Sequence, residues 1–141
     1  MFDNLFYDNE EDKTKERVIY KVDILMKPYR KKYSYIGMTK RQLQKRINEH
    51  LTDQRSSVYQ FLEEHKGQVW GIEVHILYEC EFEQLLDSNE SLEIGKYILK
   101  NGTKANQKNR LINKSFKGFD KLSLDQVKKC CNMFLHPLQT N

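Results

Sequence analysis

The sequence predicts an α+β domain built on a small three-stranded antiparallel sheet flanked by helices. Two segments with a strand-like apolar period are separated by a short basic loop, which reads as a hairpin. A third such segment follows two helix-period stretches, and two more helices close the chain.

Residues 18–25 (VIYKVDIL) place Val18, Tyr20, Val22 and Ile24 on one strand face and Ile19, Lys21 and Asp23 on the other. Pro28 and its basic neighbours make the loop, and Lys32 to Gly37 return as the second strand. Thr39, with Gln42 three residues on, predicts a capping box. The helix after it buries Leu43, Ile47 and Leu51. A second helix is expected over Ser57 to Lys66, stopped by Gly67. Trp70 to Tyr78 form the third strand, with Ile72, Val74, Ile76 and Tyr78 on one face. A helix runs from Phe82 to about Asn101 with a break near Asp87–Asn89 and Gly102 as its cap, and Ser123 with Gln126 opens the last helix, ended by Pro137. Residues 103–120 are polar and basic without a period.

Domain organisation follows from charge and pattern: an acidic, flexible tail over 1–17, one domain over 18–113, and a C-terminal helical extension over 114–141 packed on it. With 38% hydrophobic and 31% charged residues, a disordered chain is excluded. No apolar run reaches membrane-spanning length and no signal peptide opens the chain, so a cytoplasmic protein with no membrane partner is expected. Three cysteines, two of them adjacent (Cys130, Cys131), match neither a disulfide framework nor a zinc spacing. Net charge is +4, but residues 1–17 carry six acids against three bases, which leaves +7 on the remainder. A basic body suits a polyanionic partner through counterion release.

Val18-Ile19-Tyr20 and Tyr35-Ile36-Gly37 resemble the paired strand motifs that name the GIY-YIG nuclease family. The run YIGMTKRQLQKRINEH resembles the family's most specific stretch, and RSSVYQFLEEHKGQVWGIEVHIL resembles the helix and strand of its phage-type homing endonucleases. The likeness covers about Val18 to Asn106. Two departures are that Val18 stands where the first motif has glycine, and Arg55 where some relatives have another histidine.

The resemblance implies a metal-dependent DNA endonuclease acting on double-stranded DNA with Mg²⁺, or Mn²⁺ in its place. Tyr20 and Tyr35 then stand for the motif tyrosines, Arg46 for the helix arginine and His50 for the histidine one turn later. A late asparagine supporting the active site falls on Asn106, and the metal-binding glutamate on Glu90 or Glu93. Helical geometry favours Glu90, which shares the packing arc with Leu86, Ile94, Tyr97 and Ile98, whereas Glu93 lies with Asn89, Lys96 and Lys100 on a solvated face.

The residue types suit the chemistry. Arg46 and His50, four apart, share a helical face, and a guanidinium is a permanent bidentate phosphate donor. One carboxylate suffices for a largely water-ligated Mg²⁺. A phenol with an ordinary pKa near 10 is a poor base at pH 7 unless a cation lowers it, so the division of labour between the tyrosines stays open. Lys40, Arg41 and Lys45 are candidate nucleic-acid contacts, as is the strip Lys100, Lys104, Lys108, Arg110, Lys114 and Lys117.

Plainer roles stand beside these: Tyr20 as a core aromatic, Arg46 and His50 as a solvated helix face, Asn106 as a turn residue. Two other functions fit the same residues, a structure-specific nuclease on branched or repair DNA and a nucleic-acid-binding module without catalysis. About thirty-five residues follow Asn106, which leaves no room for a long linker and a separate DNA-binding module.

Overall fold

The computed structural model describes residues 4–27, 31–104, 107 and 110–135. Its sheet has four strands, β1 (Leu5–Tyr7), β2 (Val18–Met26), β3 (Lys32–Thr39) and β4 (Val69–Glu79), in the order β1-β4-β2-β3. β2 runs antiparallel to both β3 and β4. The helices are α1 (Leu43–Thr52), α2 (Ser57–Glu64), α3 (Leu86–Asn101) and α4 (Leu124–Leu135). No helix among the described residues is long and apolar enough to cross a membrane.

The three-stranded antiparallel expectation is corrected by β1, which pairs parallel to β4 through Leu5↔Ile72 and Tyr7↔Val74. The described part of residues 1–17 is therefore joined to the sheet. Leu5 and Tyr7 pack on the core, a 3-10 turn spans Glu10–Thr14, and Asp12 is buried there. Three residues are too few to display a strand period, and the surrounding acids hid them.

The two faces of β2 feed two cores. Val18, Tyr20, Val22 and Ile24 lie with Leu43, Ile47 and Val58 under α1 and α2. Ile19 and Ile36 lie on the other side with Leu86, Ile94 and Ile98 of α3 and with Leu111, Phe116, Phe119, Val127 and Cys131. The second core thus draws on residues on both sides of 113. α3 and α4 approach closely at Gly95, where a Cβ would lie 2.6 Å from Cys131 Sγ. The supposedly formless basic segment closes the β3 edge. Ser34 N donates to Arg110 O (2.9 Å) and Ile112 N to Ser34 O (2.7 Å), in a parallel bridge.

Two local readings change. Thr39 does not cap α1, because it still belongs to β3 and its Oγ1 accepts from Arg41 N. Leu43 N at the start of α1 instead donates to Lys15 O, 2.9 Å away, so the N-terminal segment closes that helix. β4 carries a bulge at Leu77, because Ile19 pairs with Tyr78 while Tyr20 pairs with Ile76. The bulge moves Tyr78 off the face of Ile76, against the simple alternation. The expected Ser123/Gln126 box is present in both directions, Ser123 N to Gln126 Oε1 (2.9 Å) and Gln126 N to Ser123 Oγ (3.2 Å).

Candidate active site

Four expected residues converge on the α1 side of β2 and β3. Strand pairing sets Tyr20 opposite Gly37, with Tyr35 two residues before Gly37 on β3. A Cβ at Gly37 would lie 2.6 Å from Tyr20 Oη and 2.8 Å from Tyr35 Cε1. The missing side chain is what lets both phenols lie over that strand. The two rings are 6.4 Å apart, and Tyr35 meets the His50 ring edge-on at 4.8 Å.

His50 is 2% exposed and sits between two hydroxyls, with Nε2 2.6 Å from Tyr20 Oη and Nδ1 2.7 Å from Ser56 Oγ. Ser56 also accepts from Val58 N at 3.2 Å, as the cap of α2. Burial, then the nearby Arg46 charge, pushes the His50 pKa down to about 3, so the ring is a neutral imidazole at pH 7. The phenol of Tyr20 is raised by burial first and by Tyr35 second, against the opposing pull of Arg46. Tyr35 is raised as well, again chiefly by burial. Both remain protonated. The Arg46 charge acts on both phenols, and with the imidazole neutral the Tyr20 hydroxyl is assigned as donor to His50 Nε2. Nδ1 then carries the ring proton toward Ser56.

Burial divides the group. Tyr20 is fully buried and His50 nearly so, whereas Tyr35 is partly exposed and the Arg46 side chain is 32% exposed. Arg46 is steadied by Glu49 at 3.1 Å, which Arg41 also grips through two 2.6 Å hydrogen bonds.

The fifth residue comes from the opposite side. Glu90 is buried on α3, and its charge acts on Tyr20 and Tyr35. Its pKa is raised, by burial above all, with Lys117 and Arg46 pulling the other way. Oε1 accepts no aligned hydrogen bond among the described residues, but the Lys117 ammonium lies 3.0 Å from it. Glu93 is not on a solvated face as expected. Its side chain is 11% exposed and pairs with Lys96 at 3.6 Å, with no electrostatic link to the phenols.

Among the candidate phosphate contacts, Lys40 pairs with Glu83 at 2.8 Å, Arg41 is held by Glu49, and Lys45 is exposed. Asn106 lies outside the described residues. Asn113, whose role the sequence did not signal, takes both backbone groups of Ile36 on the outer edge of β3, next to the Ser34 bridge. Its Oδ1 accepts from Ile36 N (3.0 Å) and its Nδ2 donates to Ile36 O (2.7 Å).

No family model, curated protein or solved structure matches the chain.

A separate polar cluster occupies the other sheet face, where His75 bridges Asp23 (Nε2, 3.1 Å) and Asp8 (Nδ1, 2.9 Å). Asp23, Glu73 and His75 bring ligand-type atoms within 4.8 Å of one another. Asp23 is already served by Ser34, Lys21 and Lys32, which makes this an ion network joining β2, β3 and β4 to Asp8, the residue after β1. It gives His75 the partners that sequence reading lacked.

Proposed function

We propose that this protein is a metal-dependent DNA endonuclease that hydrolyses phosphodiester bonds with a GIY-YIG-type active site. The observation that carries the reading is the meeting of Tyr20 and Tyr35 with Arg46 and His50, electrostatically coupled to the buried carboxylate of Glu90. A buried carboxylate with a cation against it is an unfavourable arrangement for packing alone, and it fits a site for positive charge.

Glu90 would hold the Mg²⁺ or Mn²⁺, with waters and phosphate oxygens completing the shell. The ion supplies Lewis-acid charge to the scissile phosphate. Arg46, solvent-facing and permanently charged, binds the phosphate and balances the charge that builds on its oxygens in the transition state. Tyr35, the tyrosine with solvent access, orients the attacking water. As that oxygen bonds to phosphorus, its proton passes to the Tyr35 oxygen and the phenolic proton moves on to solvent. The bond to the leaving oxygen breaks, and solvent protonates that oxygen. Tyr20 and His50 are positioning residues, whose buried hydrogen bond holds the guanidinium and the second phenol in place.

Supercoiled plasmid incubated with the protein and Mg²⁺ or Mn²⁺ should be nicked or linearised, and EDTA should stop the reaction. DNA that is bound but uncut with either ion would overturn the enzyme and leave a nucleic-acid-binding module. That second reading draws on one observation, the lysine already seated at Glu90. Linear, branched and single-stranded substrates then separate a general endonuclease from one that selects repair intermediates.

A further inference from the structure

We infer that Lys117 is a built-in placeholder for the divalent cation: its ammonium neutralises Glu90 in the metal-free protein and must swing away when the ion binds. The inference rests on the proposed metal role of Glu90. Lys117 Nζ lies 3.0 Å from Glu90 Oε1 and 3.2 Å from Asp87 Oδ1, so one ammonium bridges two carboxylates a helical turn apart. The same Glu90 oxygen cannot serve both partners. A Mg²⁺ ion sits about 2.1 Å from its oxygen ligand, which would bring it into repulsive range of an ammonium beside that oxygen.

The chain is shaped to put the lysine there. Lys117 has φ 54°, a left-handed conformation that costs a non-glycine residue free energy, and it precedes Gly118 at φ 90°. Such strain persists where the surroundings require it. The geometry also provides somewhere to go. Asp87 is 76% exposed against 8% for the Glu90 side chain, and the lysine has a flexible four-carbon stem. On leaving Glu90 the ammonium retains Asp87 at the rim, where a DNA phosphate would compete for it. Metal and DNA therefore bind cooperatively, because each draws Lys117 away from the position that opposes the other.

Mn²⁺ titration of the full chain, read by electron paramagnetic resonance of the free ion, tests this without any cleavage assay. Lys117→Met and Lys117→Gly remove the ammonium by different routes, the second also relieving the strained backbone. Both should bind Mn²⁺ roughly tenfold more tightly than the unaltered protein, the scale of an ordinary coupling between sites. Lys117→Arg should behave like the unaltered protein, and Glu90→Gln should lose the site with or without Lys117. Binding in both lysine variants that is equal to or weaker than normal, with Glu90→Gln still deficient, overturns the placeholder alone. Mn²⁺ binding undiminished in Glu90→Gln overturns the metal assignment and the placeholder together. Circular dichroism of each variant verifies that the fold is retained.

Discussion

Tyr20 Oη and His50 Nε2 lie 2.6 Å apart, a hydrogen bond between the inner strand β2 and the last turn of α1, sealed from solvent. A neutral imidazole and a protonated phenol satisfy each other there, and Ser56 completes the line. The pair is a fixed support on which the partly exposed Arg46 and Tyr35 rest.

Removing one half of that support should therefore cost stability as well as activity. Tyr20→Phe leaves His50 Nε2 buried without its donor, a loss of about 1–3 kcal/mol. Tyr35→Phe strands no buried group and should unfold within about 0.5 kcal/mol of the unaltered protein while cutting DNA poorly. Urea unfolding beside cleavage rates distinguishes the two, and equal destabilisation would contradict the division between buried support and exposed contact.

Gly37→Ala should disturb the site more than its single methyl suggests. The new carbon meets Tyr20 Oη and the Tyr35 ring below 3.0 Å, and Tyr20 is fully buried. Overpacking of this kind costs about 1–3 kcal/mol. Cleavage should fall further than stability does, because both phenols shift relative to Arg46. Unchanged cleavage in a correctly folded variant would show that the phenols' positions do not matter.

Acid should weaken the fold partly through His50. Its folded pKa, about 3, lies below the value near 6.5 of an unfolded histidine. Between those values the unfolded chain takes up a proton that the native site refuses, so this contribution is complete above about pH 6.5 and fades as pH falls toward 3. Melting temperature followed from pH 7 to 4.5 should drop less steeply in His50→Gln than in the unaltered protein. Parallel curves would mean that the ring is not buried neutral.

Glu90→Gln should leave the melting temperature unchanged or higher while abolishing cleavage. The raised pKa of Glu90, due first to burial, marks its ionised form as destabilised at neutral pH. Lys117, largely outside the core, keeps Asp87 as a partner when Glu90 is neutralised, so no buried charge is stranded. A residue retained against stability is retained for activity. Calorimetry decides this, and a clear fall in melting temperature would make Glu90 a structural ion-pair partner instead.

Much of the fold was legible because its main elements are long enough to show a period. β2, β3, β4 and the apolar stripe of α1 follow from alternation and four-residue spacing, and the Ser123/Gln126 box from local chemistry. β1 was not legible, since three residues carry no period and its pairing with β4 is non-local. The Leu77 bulge, the Asn113 bond to Ile36 and the closure of α1 by Lys15 have the same character: each depends on a partner distant in sequence. Within the site, the helical spacing of Arg46 and His50 and the packing arc of Glu90 could be read directly. The burial that separates Tyr20 from Tyr35 could not, because both alternate identically on their strands. Lys117 looked like one more cation in a basic strip, and only the fold brings it to Glu90.

The most direct measurement is the single-turnover cleavage rate of Arg46→Ala in Mg²⁺, with DNA affinity determined on the same substrate. Loss of a transition-state clamp costs about 3–4 kcal/mol of barrier, several hundredfold in rate. That loss is expected with DNA binding largely kept. Cleavage and binding that fall together would reduce Arg46 to a phosphate contact, and undiminished cleavage would remove this cluster from the chemistry.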